Sequence, residues 1–189
     1  MRVGIDASSI VDGGGLTHLQ ELINNFCEKE SSNITQLVLI SSEKCLKRIP
    51  DQLYLKKKTF WWLNKTKFHR IIFQLFLFDI YLKNNYDIIF SVTGDYVGNF
   101  KPLVAMSQNM LLYERELWKN IKSVKEKFKF FFNYKRQKKC FENSNGLIFL
   151  SKYAKNYVSN KLFLENKNSK IVHHGISKKF INQKKILNF

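Results

Sequence analysis

Short apolar runs at residues 3–5, 37–40, 88–90, 103–106, 147–150 and 171–172 alternate with stretches long enough for helices at 16–29, 63–84, 113–143 and 152–163. Apolar runs of this length, bounded by polar or turn residues, read as buried strands. Strands that alternate with helices must be joined by crossovers, which predicts a mainly parallel sheet covered on both faces. The expected fold class is therefore α/β, a Rossmann-like three-layer sandwich. A break is expected near Asn120 in the third helical stretch, and 52–58 reads as a further strand. A chain of 189 residues holds one domain of ordinary size. With 44% hydrophobic residues and only 2 prolines, disordered and collagen-like classes are excluded.

The first strand runs directly into Gly13, Gly14 and Gly15 and then into a helix. Glycines let the backbone turn sharply and bring the N–H groups of a helix start close to a bound anion, so the loop suits a diphosphate or a sugar. The spacing is neither the dinucleotide fingerprint nor a P-loop, which ends in Gly-Lys-Ser/Thr. In a parallel sheet, ligands gather at the carboxyl ends of the strands where strand order reverses. That rule nominates 12–15, Thr93, Gly94, Asp95, Ser107, Gln108, Asn109 and Ser151. Ser151 also reads as a helix N-cap, and Asp95 as an ordinary turn aspartate.

The formal net charge of +17 predicts attraction to a polyanion or an anionic membrane. Arginines suited to gripping guanine or phosphate are few, namely Arg2, Arg48, Arg70, Arg115 and Arg136, so nucleic acid is the less favoured partner. Cys27, Cys45 and Cys140 are odd in number and widely separated, which argues against a disulfide framework or a zinc site. No His, Cys or carboxylate cluster has metal-ligand spacing, so no metal is expected. Strand residues begin at Val3 without a charged leader and apolar signal core, giving the expectation of a cytoplasmic protein.

Two segments bear on membranes. The apolar run 71–82 is too short to span a bilayer and is interrupted by Gln74 and Asp79, so it reads as a helix buried on most sides. In 123–141, Lys122, Lys125, Lys129 and Arg136 fall near one helical face beside Val124, Phe128 and Phe131. Basic heads beside aromatic rings suit a helix lying in an anionic membrane interface, at the inner face of the cell membrane. The same pattern serves an amphipathic helix that packs its aromatics on the sheet.

The segments MRVGIDAS with GGGLTHLQEL, NNYDIIFSVTG, PLVAMSQNMLLYE, GLIFLSKYAKNYV and KIVHHGIS, in this order, resemble the N-terminal domain of family-4, GT-B fold glycosyltransferases. The resemblance covers nearly the whole chain. It implies an acceptor-binding Rossmann-like domain over 1–175, with 176–189 starting the linker to a second, donor-binding domain that would be needed for activity. The implied reaction is transfer of a sugar from a nucleotide-sugar donor, the co-substrate, to a glycan or lipid-linked acceptor, as in cell-surface polysaccharide synthesis. No other cofactor is implied.

By the same resemblance, Gly13, Gly14 and Gly15 match the loop that approaches donor diphosphate and acceptor, with Thr17 and His18 beginning the following helix. Gln108 and Asn109 occupy the loop where many relatives carry His-Asp or His-Asn. An amide cannot act as a general base, so Gln108 would hydrogen-bond a sugar hydroxyl instead. Retaining members are interpreted through a front-face mechanism in which the departing diphosphate takes the acceptor proton, leaving the protein to position and stabilise. The rival expectation from composition alone is a non-catalytic basic module for anionic membrane or nucleic acid.

Overall fold

The computed structural model describes residues 1–26, 33–173 and 175. Cys27, the 27–29 end of the expected first helix, His174 and the expected linker 176–189 lie outside the described residues.

Seven strands, β1 (Arg2–Asp6), β2 (Gln36–Ile40), β3 (Leu55–Lys58), β4 (Ile88–Ser91), β5 (Leu103–Ser107), β6 (Gly146–Phe149) and β7 (Ser169–Ile171), form one sheet in the order β3-β2-β1-β4-β5-β6-β7. Every pairing is parallel. The α/β, Rossmann-like sandwich expected from the alternation of runs is the observed architecture. Strand succession reverses between β1 and β4, so the loops leaving these two strands diverge and open a crevice at their carboxyl ends.

Alternation within a single strand feeds both layers. In β2, Leu37 and Leu39 join a core with Leu16, Leu19 and Ile23 of α1 (Gly14–Asn24) and with Cys45 and Leu46 of α2 (Glu43–Leu46). Val38 and Ile40 face the other way, into the core that contains Phe78 and Leu82 of α4 (Phe78–Asn85). That second core also takes Cys140 and Phe141 of α6 (Val124–Asn143) and Val158 and Leu162 of α7 (Lys152–Leu162). Cys45 and Cys140 are free, buried thiols. The edge strand β3 is LKKK, and lysines on an edge discourage strand addition by another chain.

The expected helix over 63–84 is broken into a 3₁₀ turn (Trp61–Asn64), α3 (Lys67–Ile72), a π-helical turn (Phe73–Leu77) and α4. The π turn rotates Phe73 and Gln74 into the interior, and it leaves Leu75, Phe76 and Leu77 exposed, followed by Ile80 on α4. Phe76 is 67% exposed and Ile80 62%, which corrects the expectation of a helix buried on most sides. Asp79 belongs there because it accepts hydrogen bonds from the Tyr96 hydroxyl and, at 2.7 Å, from the Asn99 N–H. The expected break near Asn120 separates α5 (Arg115–Asn120) from α6, whose N-cap Ser123 accepts from the Glu126 N–H at 3.4 Å.

Candidate functional site

At the crevice between β1 and β4 lies a cleft of about 460 Å³. Its floor comes from the strand ends: Ser9 and Val11 in the loop after β1 with Gly15 at the start of α1, Thr93 and Asp95 after β4, and Gln108 and Asn109 after β5. Its walls come from two helical segments, with Arg70, Ile71 and Gln74 on α3 and the π turn, and Lys129, Phe132, Asn133, Arg136 and Gln137 on α6.

The loop after β4 is pinned by Gly94, which has φ 63°. A Cβ there would lie 2.5 Å from both the Met106 carbonyl oxygen and Phe141 Cε1, so only glycine lets the turn press against β5 and α6. Gly13 is the other glycine with positive φ among the described residues. Its φ of 70° with ψ −157° belongs to a region open essentially to glycine, and it directs the chain into α1. Gly14 and Gly15 were expected to be part of the turn, and they instead form the first two positions of α1. Neither carries positive φ. A Cβ on Gly15 would sit 3.8 Å from Ile10 Cγ1 and 3.9 Å from Gln108 Oε1, ordinary contacts that place the start of α1 beside the β5 loop. The N-cap of α1 makes no side-chain hydrogen bond and its first turn holds no acid. Its positive end is therefore not neutralised from within the helix.

Arg136 ties the floor to the walls. Its Nη2 donates to Gln74 Oε1 at 3.0 Å, to the Asp95 carbonyl at 3.1 Å and to Ser9 Oγ at 3.3 Å, and lies 3.3 Å from Asp95 Oδ2. Thr93 Oγ1 donates to Asp95 Oδ1 at 2.5 Å, and Gln74 Nε2 to Ser8 Oγ at 2.5 Å. Ser8 N–H in turn donates to Asp6 Oδ1 at 3.0 Å. Burial pushes the Asp6 carboxyl up to about 6; the Ser8 hydrogen bonds and Arg136 oppose the rise, and the charge of Asp95 adds to it. This places a carboxyl that titrates near neutrality beneath the cleft.

Other polar capacity in the cleft is unspent. Gln108 Nε2 and Gln137 Oε1 are buried without hydrogen-bond partners among the described residues, as is Arg70 Nε. Desolvation lowers the pKa of the Arg70 guanidinium from its ordinary value, and no carboxylate pairs with it or with Lys129 among the described residues.

Of the residues nominated from sequence, Gly15, Thr93, Asp95, Gln108 and Asn109 line this cleft together. Gly13, Gly14, Thr17 and His18 lie at or after the start of α1 and are not among its lining residues. Asn109 Oδ1 accepts from the Leu111 N–H at 3.0 Å, which commits part of its capacity to the 3₁₀ turn Leu111–Tyr113. Ser151 caps α7 by accepting from the Ala154 N–H at 3.0 Å, and it does not reach the cleft. Lys122, Lys125 and Lys129 are exposed. Arg136, expected beside them as a membrane contact, turns inward instead. Its side chain is only 15% exposed because Asp95 and Gln74 hold it.

Arg70, Gln74, Asn133 and Gln137 were not nominated. The one available signal was Gln74, a single amide within an apolar run, which marks a buried group in need of partners.

No family model, curated protein or solved structure matches this chain. Among the described residues, no helix is long and apolar enough to cross a membrane, and no three His, Cys, Asp or Glu side chains gather where they could hold a metal ion.

Proposed function

We propose that this chain is the acceptor-binding half of a retaining glycosyltransferase. It would act with a donor-binding domain to move a sugar from a nucleotide sugar to a glycan or lipid-linked acceptor, and it would have little activity alone. The observation that carries the reading is the cleft at the strand reversal. There the uncapped start of α1, with Gly15, lies against Gln108, so a diphosphate and an acceptor hydroxyl could meet. The ordered motifs that resemble the family support it from the sequence side.

In this reading the chain's work is positioning and electrostatics. The first-turn N–H groups of α1 face the leaving diphosphate, with the helix dipole favouring its negative charge. Gln108 hydrogen-bonds an acceptor hydroxyl. Asp95 is held by Thr93 and Arg136, which makes it a poor candidate for a mobile base, and this agrees with a route in which the leaving phosphate takes the acceptor proton.

Docking on an anionic membrane belongs to the same proposal. Val124, Phe128 and Phe131 on α6 are exposed, Phe128 at 70%, and they lie among Lys122, Lys125 and Lys129. That surface also favours the second reading, a basic module without catalysis. Transfer assays with radiolabelled nucleotide sugars and a membrane lipid extract test the first reading. The chain alone should give no product, and addition of its donor-binding partner should give transfer. Robust transfer by the chain alone would contradict the proposal. Salt-sensitive binding to any polyanion, with no response to glycans, would favour the second reading.

A further inference from the structure

Arg70 and Lys129 reach the cleft from the two different helical segments that wall it, α3 and α6, and neither has a carboxylate partner among the described residues. A partly desolvated guanidinium without a counter-ion is costly unless something anionic visits it. Arg70 Nε is buried and unpartnered, so the charge is not spent on the fold. Arg136 Nε is also buried without a partner, but its Nη2 makes three hydrogen bonds and an ion pair with Asp95, which neutralises it.

Two side-chain amides, half-buried Gln108 and buried Gln137, complete the lining. Gln108 Nε2 has a hydrogen to donate and Gln137 Oε1 a lone pair to fill. Gln137 itself is 3% exposed, and its Nε2 is directed to the Thr93 carbonyl at 3.4 Å, which fixes the other atom as the acceptor. A group matching this set offers negative oxygens to two cations and an amide, and a hydroxyl to Gln137. A phosphodiester stays ionised across the neutral pH range and presents two terminal oxygens in a tetrahedral array, one toward each cation.

Ile71 and Phe132 line the same cleft on the same two helices. On the same two segments Leu75 follows Ile71 by four residues and Phe128 precedes Phe132 by four, and both are exposed. A ligand whose phosphate sits between Arg70 and Lys129 therefore meets an apolar side chain on each wall. We infer that the cleft binds a phosphorylated amphiphile, a hydroxylated head joined through phosphate to a hydrocarbon chain, with the phosphate between Arg70 and Lys129 and the chain running out over Ile71 and Phe132. The inference rests on the acceptor-binding reading and narrows its substrate class from any glycan to a lipid-linked phosphate.

Calorimetric titration of the full chain with farnesyl phosphate, farnesol and glucose 1-phosphate tests it. Farnesyl phosphate should bind at least about tenfold more tightly than either of the others, because each lacks one half of the recognition. The double variant Arg70→Gln/Lys129→Gln should lose about tenfold for farnesyl phosphate with an unchanged melting temperature. Phe132→Ser should lower affinity for farnesyl phosphate and leave that for glucose 1-phosphate unaltered. Equal binding of glucose 1-phosphate would assign the phosphate to a soluble ligand and overturn the inference. Equal binding of farnesol, or full affinity in the double variant, would do the same. Transfer activity is a separate readout: farnesyl phosphate bound by a chain that never supports transfer would leave the cleft chemistry standing and remove the glycosyltransferase reading.

Discussion

Where the floor of the cleft meets its walls, Arg136 Nη2, Asp95, Thr93, Gln74 and Ser8 form one hydrogen-bonded network. On its walls, Arg70 and Lys129 face the same space with no carboxylate among the described residues. Two cations of α6 make the contrast sharpest, since Lys129 and Arg136 sit on one helix and line one cleft. One is solvated and unpaired, and the other is 15% exposed and ion-paired. The floor network is thus accounted for by the fold itself, whereas the walls hold charge and amide capacity that the fold does not use. A group of the first kind should show up in stability, and one of the second kind in binding.

The largest expected effect comes from cutting the floor. Arg136→Ala leaves the Asp95 carboxylate largely buried without its counter-charge and should cost about 3–5 kcal/mol in urea denaturation. Arg70→Ala, on the wall, should stay within about 1 kcal/mol of the parent. Similar losses from the two would erase the distinction.

Asp6 provides a pH test of the same floor. Its carboxyl is raised to about 6 in the fold against 3.8 for the free group, so between these values the folded state holds a proton that the unfolded chain has released. Its contribution to stability is therefore fully present below about pH 4 and is lost as pH rises through about 6, to the extent of about 3 kcal/mol. Asp6→Asn should remove that decline while keeping an oxygen for the Ser8 N–H. A variant whose stability still fell over this window would exclude Asp6 as the cause.

The glycines separate strain from open space. Gly13→Ala forces a side chain into a glycine-only conformation and should cost about 1–3 kcal/mol of thermal stability. Gly15→Ala meets only ordinary contacts inside α1 and should add up to about 1 kcal/mol while weakening ligand binding at the cleft. If Gly15→Ala bound ligand normally, the start of α1 would not form part of the site.

The smallest stability effect should come from the first turns of α6 and Lys122, which precedes its N-cap. Reversing Lys122, Lys125 and Lys129 to Glu should leave stability within about 0.5 kcal/mol and abolish sedimentation with anionic vesicles. Vesicle binding that survived the reversal would remove this surface as the docking site.

The sheet was legible because each buried strand is an apolar run flanked by turn residues, and strand alternation with helices leaves few topologies open. The strand-end rule then brought Gly15, Thr93, Asp95, Gln108 and Asn109 into one cleft. Arg136 was not legible. It stands in a helix crowded with lysines, and only its contact with Asp95, distant in sequence, sets it apart. Gln74 and the exposed Leu75–Leu77 turn were hidden by the π turn, which shifts the helical phase so that the buried and exposed faces no longer follow regular spacing. Gly14 and Gly15 read as loop because glycine disfavours helices, yet here they open one.

The most direct measurement is a chemical-shift map of the isotope-labelled chain titrated with a polyprenyl-phosphate-linked glycan. The account predicts shifts that converge on Gly15, Asp95, Gln108 and Gln137, the same residues staying unmoved when heparin is added. Shifts confined to Lys122, Lys125 and their neighbours, reproduced by heparin, would contradict it and leave a basic surface without an acceptor site.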